Sequence, residues 1–243
     1  MFPILFHWGP LTLYSYGVML ALGFLAASQL VARRAAAFGL DPAAVQTLGL
    51  VALLAGILGA RLAYLALNWE FFRFHPTEIL RLDHGGLVFY GGLAGGLLGG
   101  FCYVRKKGLP LVKMLDLMTP PLVLAHAIGR LGCFLNGCCY GKPTSVPWAV
   151  VFPQDGIARH PTQLYESGAL LLLFFFLSWL ERRRLPAGSL ALGYGLLYGI
   201  WRFGIEFLRG DNPPVALGLT VFQWISVPLV LIFAGLLFCR KSR

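Results

Sequence analysis

Four arginines stand where an apolar chain tolerates charge least. Arg61, Arg130, Arg202 and Arg209 all fall inside or at the ends of long hydrophobic runs. An arginine at mid-membrane depth costs about 2.5–3.5 kcal/mol on insertion scales, so such residues face a bundle interior or a polar cavity. Acidic residues in the same runs are fewer, chiefly Glu206, Glu166 and Asp116. In WRFGIEFLRGD, Arg202, Glu206 and Arg209 follow i, i+4, i+7 spacing, which puts them on one helix face, and Tyr194 and Tyr198 continue the stripe inward. Two readings compete. In one, an Arg–Glu pair ties helices together while the arginines snorkel outward. In the other, guanidinium groups outnumber carboxylates because an anion completes the site. Phosphate suits the second, since the guanidinium fork matches its oxygens.

The stretch HAIGRLGCFLNGCCYG sets Arg130 among Gly132, Gly137 and Gly141. Glycine lets backbone turn tightly and approach a ligand, and irregular backbone survives at membrane depth where it lines a cavity or is buried in protein. GGLVFYGGLAGGLLGG is equally glycine-dense. Gly95, Gly96, Gly99 and Gly100 read as close helix packing, whereas the four glycines flanking Tyr90 suit either packing or approach to a head group. Cys133, Cys138 and Cys139 form C-x4-C-C, which matches no recognised zinc spacing, so no metal is expected and buried thiols or a disulfide are. His160, in RHPTQLYE, reads equally as a satisfied loop histidine or a substrate contact.

These residues need a scaffold, and composition defines it. The 243 residues are 58% hydrophobic and only 12% charged, far from soluble averages. The net charge of +10 comes in short clusters between apolar runs. That is membrane topology rather than a nucleic-acid footprint, and no nucleic-acid partner is expected. A spanning helix needs roughly 20 apolar residues, and seven stretches qualify, at about 12–32, 47–67, 86–104, 111–131, 164–180, 188–209 and 217–239. The N-terminal segment lacks a basic leader region and a small-residue cleavage site, so the first run reads as a retained helix.

Arg33/Arg34, Arg105/Lys106/Lys107 with Lys113, Arg182/Arg183/Arg184 and Arg240/Lys241/Arg243 fall on one side if the helices alternate. The positive-inside rule makes that side cytosolic. The expected fold is therefore an all-α polytopic integral membrane protein of seven helices. Its N-terminus is outside, its C-terminus cytosolic, and residues 1–243 form one membrane-embedded catalytic domain. Outer loops fall at about 68–85 and 132–163, with Trp8, Trp69, Tyr140 and Trp148 at the interfaces. A transporter for an anionic lipid would also use intramembrane arginines, but no internal repeat supports one. A non-catalytic scaffold would not need unbalanced arginines.

GRLGCFLNGCCYG, preceded by GGLVFYGG and followed by HPTQLYE and YGIWRFGIEFLRGD, closely resembles the bacterial prolipoprotein diacylglyceryl transferase family. The resemblance runs from YSYG through GARLAYLALN to the last outer loop. It implies an enzyme of the bacterial plasma (inner) membrane, multi-pass, whose active site opens toward the outer leaflet. The enzyme moves the diacylglyceryl group of phosphatidylglycerol onto the lipobox cysteine of a prolipoprotein signal peptide. A thioether forms, glycerol 1-phosphate leaves, and no cofactor takes part; the partners are those two substrates and membrane lipids.

Residue by residue, the resemblance makes Arg130 and Arg202 the essential arginines. Glu206 and Arg209 complete the second motif, and Tyr16, Asn136 and Gly141 match motif positions. Tyr90 stands where many members carry histidine, and His84 falls before the first glycine pair and does not replace it. Cys133 and Cys138 stand where others carry Asn and Glu. The nucleophile is the substrate's thiol, whose ordinary pKa of about 8.5 calls for a proton acceptor. Tyr90 or a substrate phosphate oxygen are the two alternatives, and the three cysteines are expected to be non-catalytic.

Overall fold

The computed structural model describes every residue except Pro10, 81–85, Gln154, Arg184, Ser242 and Arg243; the side chains of Leu11, Leu80 and Lys241 are also outside the description. His84 and two of the basic cluster residues, Arg184 and Arg243, thus lie outside the described residues.

Among the described residues seven long helices form: α1 (Ser15–Ala35), α2 (Pro42–Leu67), α4 (Phe89–Lys106), α5 (Leu111–Asn136), α6 (Thr162–Glu181), α7 (Ser189–Ile205) and α8 (Val221–Lys241), with a one-turn α3 (Trp69–Phe72) between α2 and α4. By length and composition α1, α2, α5, α6 and α8 can cross a membrane. Glycines and the terminal Arg105 and Lys106 dilute the hydropathy of α4. The 17 residues of α7 are few for a span. Beside the helices, three short antiparallel hairpins occur among the described residues: β1 (Ile4–Trp8) with β2 (Leu11–Tyr14), β3 (Val150–Val151) with β4 (Ala158–Arg159), and β5 (Pro214–Ala216) with β6 (Leu219–Thr220). The first occupies ground expected to open helix 1. Gly9, at φ +57°, turns the chain there, and His7 bonds Thr12 across the strands at 2.9 Å.

The chain divides into two compact units, 31–114 and 1–30 with 115–243. In the first, Asp41 caps α2 by accepting from the amides of Ala43 and Ala44, with Pro42 at the first helical position. α2 and α4 then pack backbone to backbone. A Cβ on Gly59 would lie 2.4 Å from the Gly91 carbonyl, and one on Gly95 2.4 Å from the Ala55 carbonyl. The small-residue reading of Gly95, Gly96 and Gly99 holds. It extends to Gly91 and Gly92, which pack against α2 rather than opening toward a head group.

In the second unit α5, α6 and α7 share a core of Val123, Ala127, Leu170, Leu177 and Leu190. Leu172 and Phe175 of α6 point outward, as a lipid-facing helix requires. Asp116, buried in α5, accepts from the amides of Gly188 and Ala191 and so caps the start of α7. Arg240 near the end of α8 donates to the Ala187 carbonyl. The loop joining α6 to α7 is thereby fixed at one end of the bundle; the buried arginine pairs lie at the other.

Candidate active site

On α5, Arg130 sits near the C-terminal end, and its Nη2 lies 2.9 Å from Oε1 of Glu166 on α6. The same oxygen accepts from the Tyr198 hydroxyl of α7 at 2.7 Å. His126, one turn before Arg130, places Nε2 4.0 Å from that carboxylate and Nδ1 3.4 Å from the Tyr194 hydroxyl, with its ring edge-on to Tyr198. Three helices thus converge on one fully buried carboxylate. α6 can supply it because Thr162, Gln163, Glu166 and Ser167 form a buried polar stripe on an otherwise apolar helix. That stripe is the sequence signal by which Glu166 could have been placed at the centre; His126 offered no comparable signal.

The second arginine has its own partner. Arg202 Nη2 lies 2.9 Å from Oε2 of Glu206, one helical turn on, and its guanidinium covers the Phe222 ring at 4.6 Å. Glu206 is a hub, since Oε1 also accepts from Asn212 Nδ2 at 2.6 Å and Thr220 Oγ1 at 2.9 Å. Tyr198, which bonds Glu166, stands one turn before Arg202 on α7, so the two pairs adjoin.

Arg209 departs from the expected stripe. α7 ends at Ile205, a 3-10 turn covers Glu206–Leu208, and Arg209 is extended. Rather than being satisfied by solvent, it is buried and holds Asp211 with two bonds of 2.7 and 2.6 Å.

Charge therefore balances among these residues: Arg130 with Glu166, Arg202 with Glu206, Arg209 with Asp211. The expected surplus of positive charge is absent here, and half of the helix-tying reading is correct. What remains over is polar atoms of both kinds: Oε2 of Glu166 has no hydrogen-bond partner among the described residues, and two guanidinium donors are left as well. Arg130 Nε and Arg202 Nη1 are buried and have no hydrogen-bond partner among the described residues. A buried donor without a partner costs about 1–3 kcal/mol, more when charged, so two in one centre define a place for an acceptor. An apolar cavity of about 270 Å³ between α6 and α7, lined by Leu170, Leu173, Phe176, Leu197, Tyr198 and Trp201, begins at the same Tyr198.

Around this centre the loops are held by backbone. Gly141 donates to the His160 carbonyl at 2.9 Å, and a Cβ on it would strike His160 and the Leu208 carbonyl within 2.9 Å. Its glycine identity is a packing requirement. His160 pairs with the Tyr165 hydroxyl at 3.2 Å, which Trp148 also contacts. Tyr16, on α1, packs against Gly132. Asn136 ends α5, and the Cys138 thiol donates to the Cys133 carbonyl at 3.6 Å. Cys133, Cys138 and Cys139 form no disulfide, which removes that alternative, but they bring their sulfurs within 4.8 Å of one another.

Two expected site residues belong to the other unit. Arg61 is buried, with Nε donating to the Ile79 carbonyl at 3.0 Å, Nη2 to the Glu78 carbonyl at 2.7 Å and Nη1 to that of Gly86 at 3.3 Å. It braces the loop after α3. Tyr90 is 68% exposed beside Phe89.

Long helices apolar enough to cross a membrane, with buried arginine–carboxylate pairs at one end, define a membrane-protein bundle with a polar centre. The family model for prolipoprotein diacylglyceryl transferase matches residues 3–239, and the chain belongs to that family. It is similar to phosphatidylglycerol–prolipoprotein diacylglyceryl transferases of Clostridium tetani (39% identical, covering 96% of this chain and 95% of the relative), Bordetella parapertussis (38%; 96% and 93%) and Methylococcus capsulatus (35%; 97% and 92%).

Proposed function

We propose that this chain transfers the diacylglyceryl group of phosphatidylglycerol to the lipobox cysteine of a prolipoprotein, as a seven-span enzyme of the bacterial inner membrane. Residues 1–243 act as one catalytic domain, with the N-terminus outside and the site open to the outer leaflet. The observation that carries the reading is the pair of buried, unpartnered guanidinium N–H groups, Arg130 Nε and Arg202 Nη1. The apolar cavity starting at Tyr198 suits an acyl chain beside them.

The reaction is a displacement at carbon. The substrate thiolate attacks the glyceryl CH2, the C–O bond to phosphate breaks, and glycerol 1-phosphate departs with the electron pair. Charge on the phosphate grows as that bond lengthens, so two fixed guanidinium groups in a water-poor site favour the transition state over the ground state. Glu166 and Glu206 position them; neither arginine has to reorganise. The thiol proton goes to an acceptor at this centre, either His126 or a substrate phosphate oxygen. A neutral imidazole accepts at one nitrogen while the other holds a partner. His126 stands within the centre.

Detergent-purified protein given phosphatidylglycerol and a lipobox peptide should yield lipidated peptide and glycerol phosphate in equal amounts. A peptide that stays unmodified with well-folded protein would remove the assignment.

A further inference from the structure

The three clustered thiols are used by none of the chemistry above, and local backbone explains why they meet. α5 ends with Gly137 at φ +75°, its amide bonded to the Phe134 carbonyl at 3.1 Å, while the Cys138 amide returns to the Cys133 carbonyl at 3.1 Å. This left-handed helix cap brings the residue after the glycine against the residue five before it. C-x4-C is therefore the spacing that stacks Cys138 on Cys133. A cap needs nothing more, yet Cys139 adopts φ +66°, a conformation that L side chains rarely take, and turns its thiol onto the other two. The backbone there is held in place: Gln163 donates to the Cys138 carbonyl at 2.6 Å and Thr162 to the Cys139 carbonyl at 2.8 Å, both from fully buried positions on α6.

We propose that Cys133, Cys138 and Cys139 form a three-thiolate site for a soft monovalent metal ion of the copper(I) class. Thiolates select copper(I) and zinc among biological metals. Three sulfurs about 2.3 Å from a central ion are about 4 Å apart, so a cluster already within 4.8 Å closes with small side-chain shifts. No fourth His, Cys, Asp or Glu joins the group among the described residues. Zinc prefers four ligands in structural sites, and a three-sulfur plane therefore favours the monovalent ion.

The test uses the full chain in detergent, reduced and kept anaerobic. Copper(I) supplied in acetonitrile is titrated against a chromophoric copper(I) chelator, and retained metal is measured after desalting. One equivalent per chain is expected, with an ultraviolet thiolate-to-copper band and a raised Tm. The Cys133→Ser/Cys138→Ser/Cys139→Ser variant should retain none, while Cys102→Ser/Cys239→Ser should retain the full equivalent. Cys139→Ser keeps the helix cap and should weaken binding by more than the roughly 10–100-fold typical of losing an outer-shell partner. That single variant decides the matter if the triple one fails to fold. Zinc(II) in the same assay should be lost on desalting. Equal copper in wild type and triple variant, wild-type affinity in Cys139→Ser, or retention of zinc in preference to copper(I) would each overturn the assignment. Bound metal is read directly, so the result stands apart from transferase activity.

Discussion

Arg130 and Arg202 each give one N–H to a buried carboxylate and keep another without a partner among the described residues, and this geometry sets what substitutions should do. Arg→Lys at either position retains the charge and the carboxylate contact but loses the second donor of the fork. Losing a transition-state charge contact costs about 2.7–4 kcal/mol, so turnover should fall roughly 10²–10³-fold with little change in Tm. Near-normal turnover in either variant would return that arginine to a purely helix-tying role. Arg209 should behave oppositely. Breaking a buried pair costs about 3–5 kcal/mol, so Arg209→Ala should unfold at markedly lower temperature, and its activity loss should follow the folded fraction. His126 is a separate matter. His126→Gln should cut turnover by about 10²-fold, as loss of a general base does, and abolish the acid limb of the pH–rate profile, whereas Tyr90→Phe should alter neither. A pH profile unchanged in His126→Gln would exclude it as proton acceptor. Much of this centre could be read in the chain: arginines in apolar runs have few physical excuses. Glu166 was harder, because one acidic residue on an apolar helix acquires meaning only when Arg130 and Tyr198 arrive from other helices.

At the scale of elements, helix contacts and loop braces carry different sensitivities. α2 and α4 touch through glycine backbone, so Gly95→Ala must push a methyl into the Ala55 carbonyl. Overpacking of this kind costs about 1–3 kcal/mol, and Tm should drop accordingly. Gly49 is the matched control: a methyl there would meet nothing within 4 Å, and Gly49→Ala should leave Tm unchanged or raised. The β3–β4 loop responds to pH instead. Arg159 bonds the Asp155 carboxylate and covers the Tyr140 ring at 4.8 Å, while Asp155 accepts from the Ile157 amide at 3.0 Å. The Arg159 guanidinium holds the Asp155 carboxyl below the usual carboxylate range. A lowered folded-state pKa means that the brace is fully present above the unfolded value of about 3.9 and is lost as pH falls through the folded one. Hydrogen exchange at Ile157 should therefore be protected at neutral pH and accelerate, relative to intrinsic rates, below about pH 4; Asp155→Asn should show the faster exchange at all pH values. The long helices were legible because apolar runs of roughly 20 residues have few alternatives. The hairpins were not, since such short strands lie below any periodic signal. The early end of α7, which sends Arg209 to Asp211, is a tertiary outcome that i, i+4, i+7 counting cannot see.

For the whole molecule, the unit built from 1–30 and 115–243 is polarised along its helices. Asp116, Gly188, Ala187 and Arg240 gather at one end, with Arg182 and Arg183 at the adjoining end of α6. The arginine centre, Thr220 and the hairpin loops stand at the other. Charge asymmetry of this sort orients membrane proteins with the basic end in the cytosol. A donor phospholipid and a secreted precursor would then meet the arginine centre from the outer leaflet. The orientation can be measured directly in intact cells. On a background with all five cysteines replaced, Ser145→Cys lies in the α5–α6 loop and Arg183→Cys just beyond α6. A membrane-impermeant maleimide should label the first without permeabilisation and the second only after it. Full activity of the cysteine-free background would confirm that the labelled protein is native. Labelling of position 183 alone in intact cells would invert the topology, place the arginine centre on the cytosolic side, and leave a secreted thiol with no route to it.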